Sequence, residues 1–185
     1  MGDPEIIRNS EINLAVNHLA LGDPERALAY FEPVQRAVAS NDDPFMRWRY
    51  SLHARHLDGL LALHGGQPEH ALDCAKIGVE ATRRHRAPKL EARAHALAGH
   101  ALLTMDRRAE ADASLAEALG IADRIGYARV ARETLGLLAE SARRAGRRDE
   151  AERHDARRRS LVTAAMRSLS DGELRRQLGV EESAP

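Results

Sequence analysis

A six-residue motif recurs along this chain at nearly constant spacing, and no other feature constrains the fold as strongly. The motif reads Gly-Asp-Pro-Glu-Arg-Ala at 22–27, and related motifs occupy 66–71, 106–111 and 146–151. The alanines that anchor the four motifs lie 44, 40 and 40 residues apart. Self-similarity at this period is typical of stacked helical repeats, in which each unit buries an apolar face against its neighbours. The anchoring alanines are Ala27, Ala71, Ala111 and Ala151.

The segments between the motifs have the periodicity of helices. Leu115, Ala118 and Ala122 recur at the three- and four-residue spacing that places side chains on one helix face. Asp-Pro pairs at 3–4, 23–24 and 43–44 indicate helix starts, because aspartate caps free N–H groups and proline has none to lose there. We therefore expect helices near 5–20, 24–40, 44–64, 68–86, 88–104, 107–125, 127–145 and 148–168, and a short ninth helix near 171–178.

A second set of small residues lies twelve positions before each anchoring alanine. These residues are Ala15, Gly59, Gly99 and Ala139. A small residue on one helix opposite an alanine on the next lets the two helices approach closely. We therefore expect Gly99→Leu to destabilise the fold by overpacking. By helix propensity alone, Gly99→Ala should lower stability only mildly or even raise it.

The paired small positions resemble the tetratricopeptide (TPR) repeat, and the resemblance covers roughly residues 9–168. Phe31 and Leu115 match the large apolar residue that TPR units carry four positions after the alanine, whereas Ala75 and Asp155 do not. A TPR unit is usually about 34 residues long and HEAT-type units about 40–47, so a HEAT-like array stays open. The long units also resemble the TPR arrays of large bacterial signalling proteins, including ATPase-type transcription activators.

This resemblance implies an all-α fold, a right-handed α-solenoid of about four antiparallel helix pairs with a 40–44-residue period. The whole chain, 1–185, is expected to form one domain that a short C-terminal helix closes. Its repeats are expected at 5–40, 44–86, 88–125 and 127–168, with the capping helix at 171–178.

Composition narrows the classes of partner and compartment. The 28 basic and 28 acidic side chains cancel, so no global field draws the chain to nucleic acid or membrane. Cys74 is the single cysteine, which fits a reducing cytoplasm. No basic-then-apolar leader and no apolar run of about 18 residues is present, so we expect neither export nor membrane spanning.

In a TPR array the first helices of successive repeats line a concave groove, which is the candidate binding site. Offsets from the small position predict which side chains face it, and four of the nine histidines are among them. Such a groove would accept an acidic or C-terminal peptide segment through charge-assisted hydrogen bonds, while a merely solvated polar face is the open alternative. Histidines titrate near pH 6.5, so the groove should gain positive charge between about pH 7.5 and 5.5. The candidate residues are His53, His56, His64, Arg93, His100, Thr104, Glu140, Arg143 and Arg144.

Metal and catalytic chemistry find little support in the sequence. His64 lies about 12 Å along the helix from His56, too far for a shared zinc ion. Cys74 is expected to be an inert buried thiol. The chain has no Gly-rich phosphate loop, no His-Glu-x-x-His and no nucleophile elbow. We therefore expect no enzyme activity, no cofactor and no metal.

The C-terminal segment has two features that are found in nucleic-acid-binding proteins. Residues 143–159 hold eight arginines against four acids, and 169–180 resemble the first helix and turn of a helix-turn-helix motif. A recognition helix does not follow, so we expect a solvated face and a cap rather than DNA binding.

The sequence thus favours a non-enzymatic protein- or peptide-binding scaffold, alone or as the sensory module of a bacterial regulator. The alternative is a homodimerisation module that pairs through exposed array ends, where Ile6 and Ile7 would need cover.

Overall fold

The computed structural model describes residues 4–40 and 44–168, and within these two ranges the chain forms only helices and turns. The eight helices expected between residues 5 and 168 are present, and each of their ends lies within two residues of the prediction. None of these helices is long and apolar enough to cross a lipid bilayer. The expected capping helix at 171–178 lies outside the described residues. The helices are α1 (Pro4–Ala20), α2 (Pro24–Ser40), α3 (Pro44–His64), α4 (Pro68–Arg84), α5 (Pro88–Thr104), α6 (Arg108–Arg124), α7 (Ala128–Arg144) and α8 (Arg148–Arg167).

One turn geometry connects these helices again and again. In the turn between α3 and α4, the Gln67 N–H donates to the Ala62 carbonyl at 2.8 Å and the Gly66 N–H donates to the Leu63 carbonyl at 3.1 Å. This pairing closes a helix on a residue in the left-handed conformation. The equivalent middle residue has positive φ in all six described three-residue turns: Gly22, Gly66, Arg86, Asp106, Gly126 and Gly146.

Uniform helix and turn lengths explain the period. Helices α4 to α7 each contain 17 residues and are separated by three-residue turns, so two helices and two turns make one 40-residue unit. Helix α3 has 21 residues, and its four extra residues produce the single spacing of 44. Four residues are about one helical turn, so the insertion keeps the same face toward the neighbouring helices.

The helices pack in sequence order, and each odd-numbered helix also packs against the next odd-numbered helix. The odd-numbered helices therefore form a continuous layer, which we call the inner face. The small residues of both sets are buried at the crossings, Ala15, Ala27, Ala71, Ala111 and Ala139 being completely so. The core between the layers consists mainly of leucine and alanine.

Two further observations concern the helix starts and the proline inside α2. Asp23 caps α2, because its Oδ1 accepts a hydrogen bond from the Arg26 N–H at 3.1 Å. Asp3 and Asp43, the other expected aspartate caps, lie outside the described residues. Helix α2 continues through Pro33 to Ser40 despite the backbone N–H that proline lacks.

Candidate functional site

A cavity of about 420 Å³ opens on the inner face and is the principal candidate site. We call it the inner-face cavity. Apolar side chains from α1, α3, α5 and α7 line most of it, and basic side chains are set among them. Its size lies within the range of about 300–1,000 Å³ that is common for ligand pockets. The lining residues are Val16, Leu19, Ala20, His56, Leu60, Leu63, His64, Arg93, Ala96, Leu97, His100, Tyr127, Arg129, Val130, Arg132, Glu133 and Leu137.

The structure brings four of the nine candidate groove residues to this cavity: His56, His64, Arg93 and His100. The other five do not line it: His53, Thr104, Glu140, Arg143 and Arg144. Thr104 instead donates its hydroxyl to the His100 carbonyl at 3.0 Å, within its own helix.

The charged residues at the end of α7 form hydrogen bonds and ion pairs with one another and with neighbouring helices. Arg143 donates to Asp155 of α8 at 2.8 Å, and Arg144 donates to Glu140 at 2.8 Å. Arg144 also donates to the Leu103 carbonyl at 3.1 Å. The offset from the small position fixes only which side of a helix a residue occupies, while a long arginine side chain can reach another element. These guanidinium groups stabilise the junction of α7 with its neighbours.

Arg93 differs from Arg143 and Arg144 in its surroundings and in its contacts. It is half-buried at the cavity wall and makes no ion pair or hydrogen bond with any residue that the structure describes. Burial lowers the pKa of its guanidinium, and the nearby Arg129 adds repulsion, while Tyr127 and Glu133 offset this only in part. Glu133 is itself paired with Arg129 at 3.3 Å. Arg93 is thus a desolvated cation without a partner.

The histidines near Arg93 do not behave as the sequence suggested. Burial, with Arg93 and Arg49 adding repulsion, lowers the pKa of His53 from 6.5 to about 4. Burial and the Arg93 charge hold the pKa of His56 well below its usual value. Burial, Arg144 and His64 lower the pKa of His100 as well. The expected gain of positive charge between pH 7.5 and 5.5 is therefore wrong for His53 and His56, which stay neutral in that window.

Neutral imidazoles leave hydrogen-bonding capacity in α3, and of His53 and His56 it is His56 that lines the cavity. The Nδ1 atoms of His53 and His56 are buried and have no hydrogen-bond partner among the described residues. His64, in contrast, uses its Nε2 to donate to the Leu19 carbonyl at 3.1 Å, which ties α3 to α1. A buried polar atom without a partner is costly, and a ligand group that supplied one would remove this cost.

Sequence reasoning missed three polar lining residues, all near the start of α7: Tyr127, Arg129 and Arg132. Glu133 also lines the cavity, and Arg129 lies four residues before it on the same helix face. Extending the predicted groove positions by one more helical turn, toward the N-terminus of α7, would have included Arg129.

A second cluster of functional side chains lies where α3 packs on α4. His70 Nε2 lies 3.2 Å from Asp58 Oδ2, and Cys74 Sγ lies 3.5 Å from the same oxygen. Cys74 Sγ and His70 Nε2 are 3.8 Å apart. Burial, together with the charge of Asp58, raises the pKa of the Cys74 thiol to about 11. The sequence could have indicated that His70 and Cys74 lie side by side, because they are four residues apart on one helix. It could not have indicated Asp58, which is twelve residues before His70.

Comparison with known proteins does not assign this chain to a family. No protein-family model matches the sequence, and a search of curated proteins finds no match. The TPR resemblance therefore stays a prediction from the repeat pattern, and the function has to be argued from the sites themselves.

Proposed function

We propose that this chain is a non-enzymatic scaffold that binds a protein or peptide segment in the inner-face cavity, with Arg93 holding a carboxylate of the ligand. The observation that carries this proposal is the unpartnered Arg93 guanidinium at the cavity wall. A partly desolvated charge without a partner destabilises the fold, so a ligand carboxylate that pairs with it would remove this cost on binding. Bidentate pairing with carboxylate is the geometry that guanidinium suits best.

The surroundings of Arg93 support an acidic ligand with apolar neighbours. Arg129 and Arg132 add positive charge at the cavity, and Glu133 is its one acidic lining residue. Leu60, Leu63 and Leu137 offer apolar contact area beside these charges. A C-terminal carboxylate or an acidic side chain next to a leucine-like residue fits this combination, as in other peptide-binding grooves. By resemblance to bacterial TPR arrays, such binding would serve a cytoplasmic regulator.

A peptide library with free C-termini tests the proposal directly. The library is selected against the wild-type chain and against Arg93→Gln, and selected peptides are measured by fluorescence polarisation. We expect carboxylate-rich peptides to be enriched and their affinity to fall about 10- to 100-fold in Arg93→Gln, the range for losing a charge-assisted hydrogen bond.

Arg132→Gln is the matched control, because Arg132 lines the same cavity but is exposed to solvent. It should weaken binding only slightly and mainly at low salt. Selected peptides that bind Arg93→Gln as tightly as the wild type would remove Arg93 from the mechanism.

A second candidate function, homodimerisation through the first repeat, rests on exposed apolar residues of α1 and the turn after it. Ile7, Leu14 and Leu21 follow one another at seven-residue intervals, and Leu21 is 80% exposed. Seven residues are close to two helical turns, so these side chains share one face. Light scattering across a concentration series tests this candidate: a dimer that dissociates in Leu14→Glu would support it, and a monomer at all concentrations would exclude it.

A further inference from the structure

Three potential ligand atoms converge between α3 and α4, away from Arg93. Asp58 Oδ2, His70 Nε2 and Cys74 Sγ are all within 4.8 Å of one another. The three edges of this triangle measure 3.2, 3.5 and 3.8 Å. Tetrahedral zinc has bonds of about 2.0–2.1 Å to nitrogen or oxygen and about 2.3 Å to sulfur, so its ligand atoms lie about 3.3–3.6 Å apart. The observed triangle therefore has the dimensions of one face of a zinc tetrahedron.

Hydrogen bonds account for two edges of this triangle, because the His70 Nε2–H and the Cys74 thiol can each donate to Asp58 Oδ2. The third edge, between Nε2 and Sγ, is then a 3.8 Å contact without a hydrogen bond of its own. A cation in place of these two protons would contact all three atoms at once. A deprotonated thiolate and the carboxylate also bring two negative charges, which balance one divalent ion. The thiol proton leaves as the metal binds.

A catalytic cysteine explains the cluster poorly. In a nucleophile–base–acid arrangement the histidine uses one ring nitrogen for the nucleophile and the other for the carboxylate. Here Asp58 and Cys74 both approach Nε2 of His70. The same nitrogen cannot donate to the carboxylate and accept the thiol proton.

The backbone around the cluster is held firmly by the repeat packing. A Cβ added to Gly59 would lie 3.2 Å from Cys74 Cβ and 2.6 Å from Leu97 Cδ2, so α3 and α4 meet here at close range. This contact places Asp58, the neighbour of Gly59, beside the His70–Cys74 face of α4. Cys74 is 4% exposed, while the side chains of Asp58 and His70 are about half-exposed, at 45% and 51%. Solvent can therefore reach the cluster and fill a fourth coordination position.

We propose that Asp58, His70 and Cys74 bind a divalent transition metal of the zinc class, with water completing the coordination. The sulfur ligand favours zinc-like ions over magnesium or calcium, which prefer oxygen ligands. The site is independent of the peptide-binding proposal, because none of the three residues lines the inner-face cavity.

Cobalt(II) titration of the chelator-treated, tag-free chain tests this site. Cobalt(II) is the probe because a bound thiolate produces a near-ultraviolet charge-transfer band and tetrahedral geometry produces intense visible bands. We expect both signals to saturate at one equivalent and to disappear when zinc is added. Zinc should also raise the melting temperature of the wild-type chain, since it binds the folded state.

Variants separate this site from adventitious binding. Cys74→Ser should abolish the charge-transfer band, and His70→Ala, a half-exposed position that the fold does not depend on, should weaken zinc binding by roughly tenfold or more. His154→Ala is the matched control, because His154 also lies near a carboxylate, 3.7 Å from Glu150, without a thiol. Circular dichroism verifies that each variant is helical. No charge-transfer band in the wild type, or equal loss of affinity in His70→Ala and His154→Ala, would overturn the proposal.

Discussion

Gly99 of α5 lies so close to Leu115 of α6 that a Cβ at position 99 would be 2.5 Å from both Cγ and Cδ2 of the leucine. The same Cβ would lie 3.3 Å from the Ala111 carbonyl oxygen. Leu115 is completely buried, so its side chain is held by the packing around it. Helix propensity alone suggested that Gly99→Ala would be mild or stabilising, and this contact contradicts that expectation.

We now expect Gly99→Ala to lower the free energy of unfolding by about 1–2 kcal/mol, because overpacking outweighs the gain in helix propensity of about 1 kcal/mol. Gly120→Ala is the matched control, since a Cβ at Gly120 meets nothing within 4 Å. It should stabilise the chain by about 0.5–1 kcal/mol. Urea unfolding measures both, and a stabilising Gly99→Ala would show that α5 and α6 are not in tight contact.

The left-handed turn positions predict a pair of opposite effects. Arg86 holds φ at 53°, a conformation that costs a residue with a Cβ about 1 kcal/mol. Arg86→Gly should therefore stabilise the chain by about 0.5–1 kcal/mol, whereas Gly66→Ala, at φ 70°, should destabilise it by a similar amount. Thermal unfolding would contradict the turn geometry if both changes shifted the melting temperature in the same direction.

Stability should fall with acidification because buried histidines must remain neutral in the folded state. The folded pKa of His53 is about 4 and that of His56 is also lowered, so the unfolded chain binds more protons below its histidine pKa of about 6.5. This destabilisation of the folded state is absent well above pH 6.5 and grows as the pH falls from there toward 4. Urea unfolding at pH 7.5 and 5.5 should show a smaller loss in His53→Gln than in the wild type. His154→Gln, outside the inner face, is the control, and equal losses in all three proteins would contradict the prediction.

Arg93 should impair stability while it serves binding. Arg93→Met keeps a long side chain but removes the unpartnered charge, so it should raise the free energy of unfolding by about 1 kcal/mol. Arg132→Met, at an exposed site, should change stability by no more than about 0.5 kcal/mol. Urea unfolding measures both variants. A clear loss of stability in Arg93→Met would mean that Arg93 has a structural partner and is not held for a ligand.

The helical array could be predicted from the sequence because its determinants are local and repeated. The alanine spacing, the Asp-Pro starts and the helical periodicity each act within a few residues, and they agree with one another in every repeat. The small residues at Gly59, Gly99 and Ala139 could be picked out because twelve-residue spacing places them opposite an alanine on the next helix.

The candidate sites depended on contacts that only the tertiary structure decided. Arg93 in α5 and Arg143 in α7 were both expected to face the groove, yet Arg143 reaches Asp155 and Arg93 reaches no partner among the residues described. The pKa values of the histidines follow from burial, which the helix pattern does not report. Asp58 meets His70 and Cys74 because two helices cross closely at Gly59. Repeat spacing determines which residues face which side, whereas charge, burial and ligand geometry depend on where long side chains end in three dimensions.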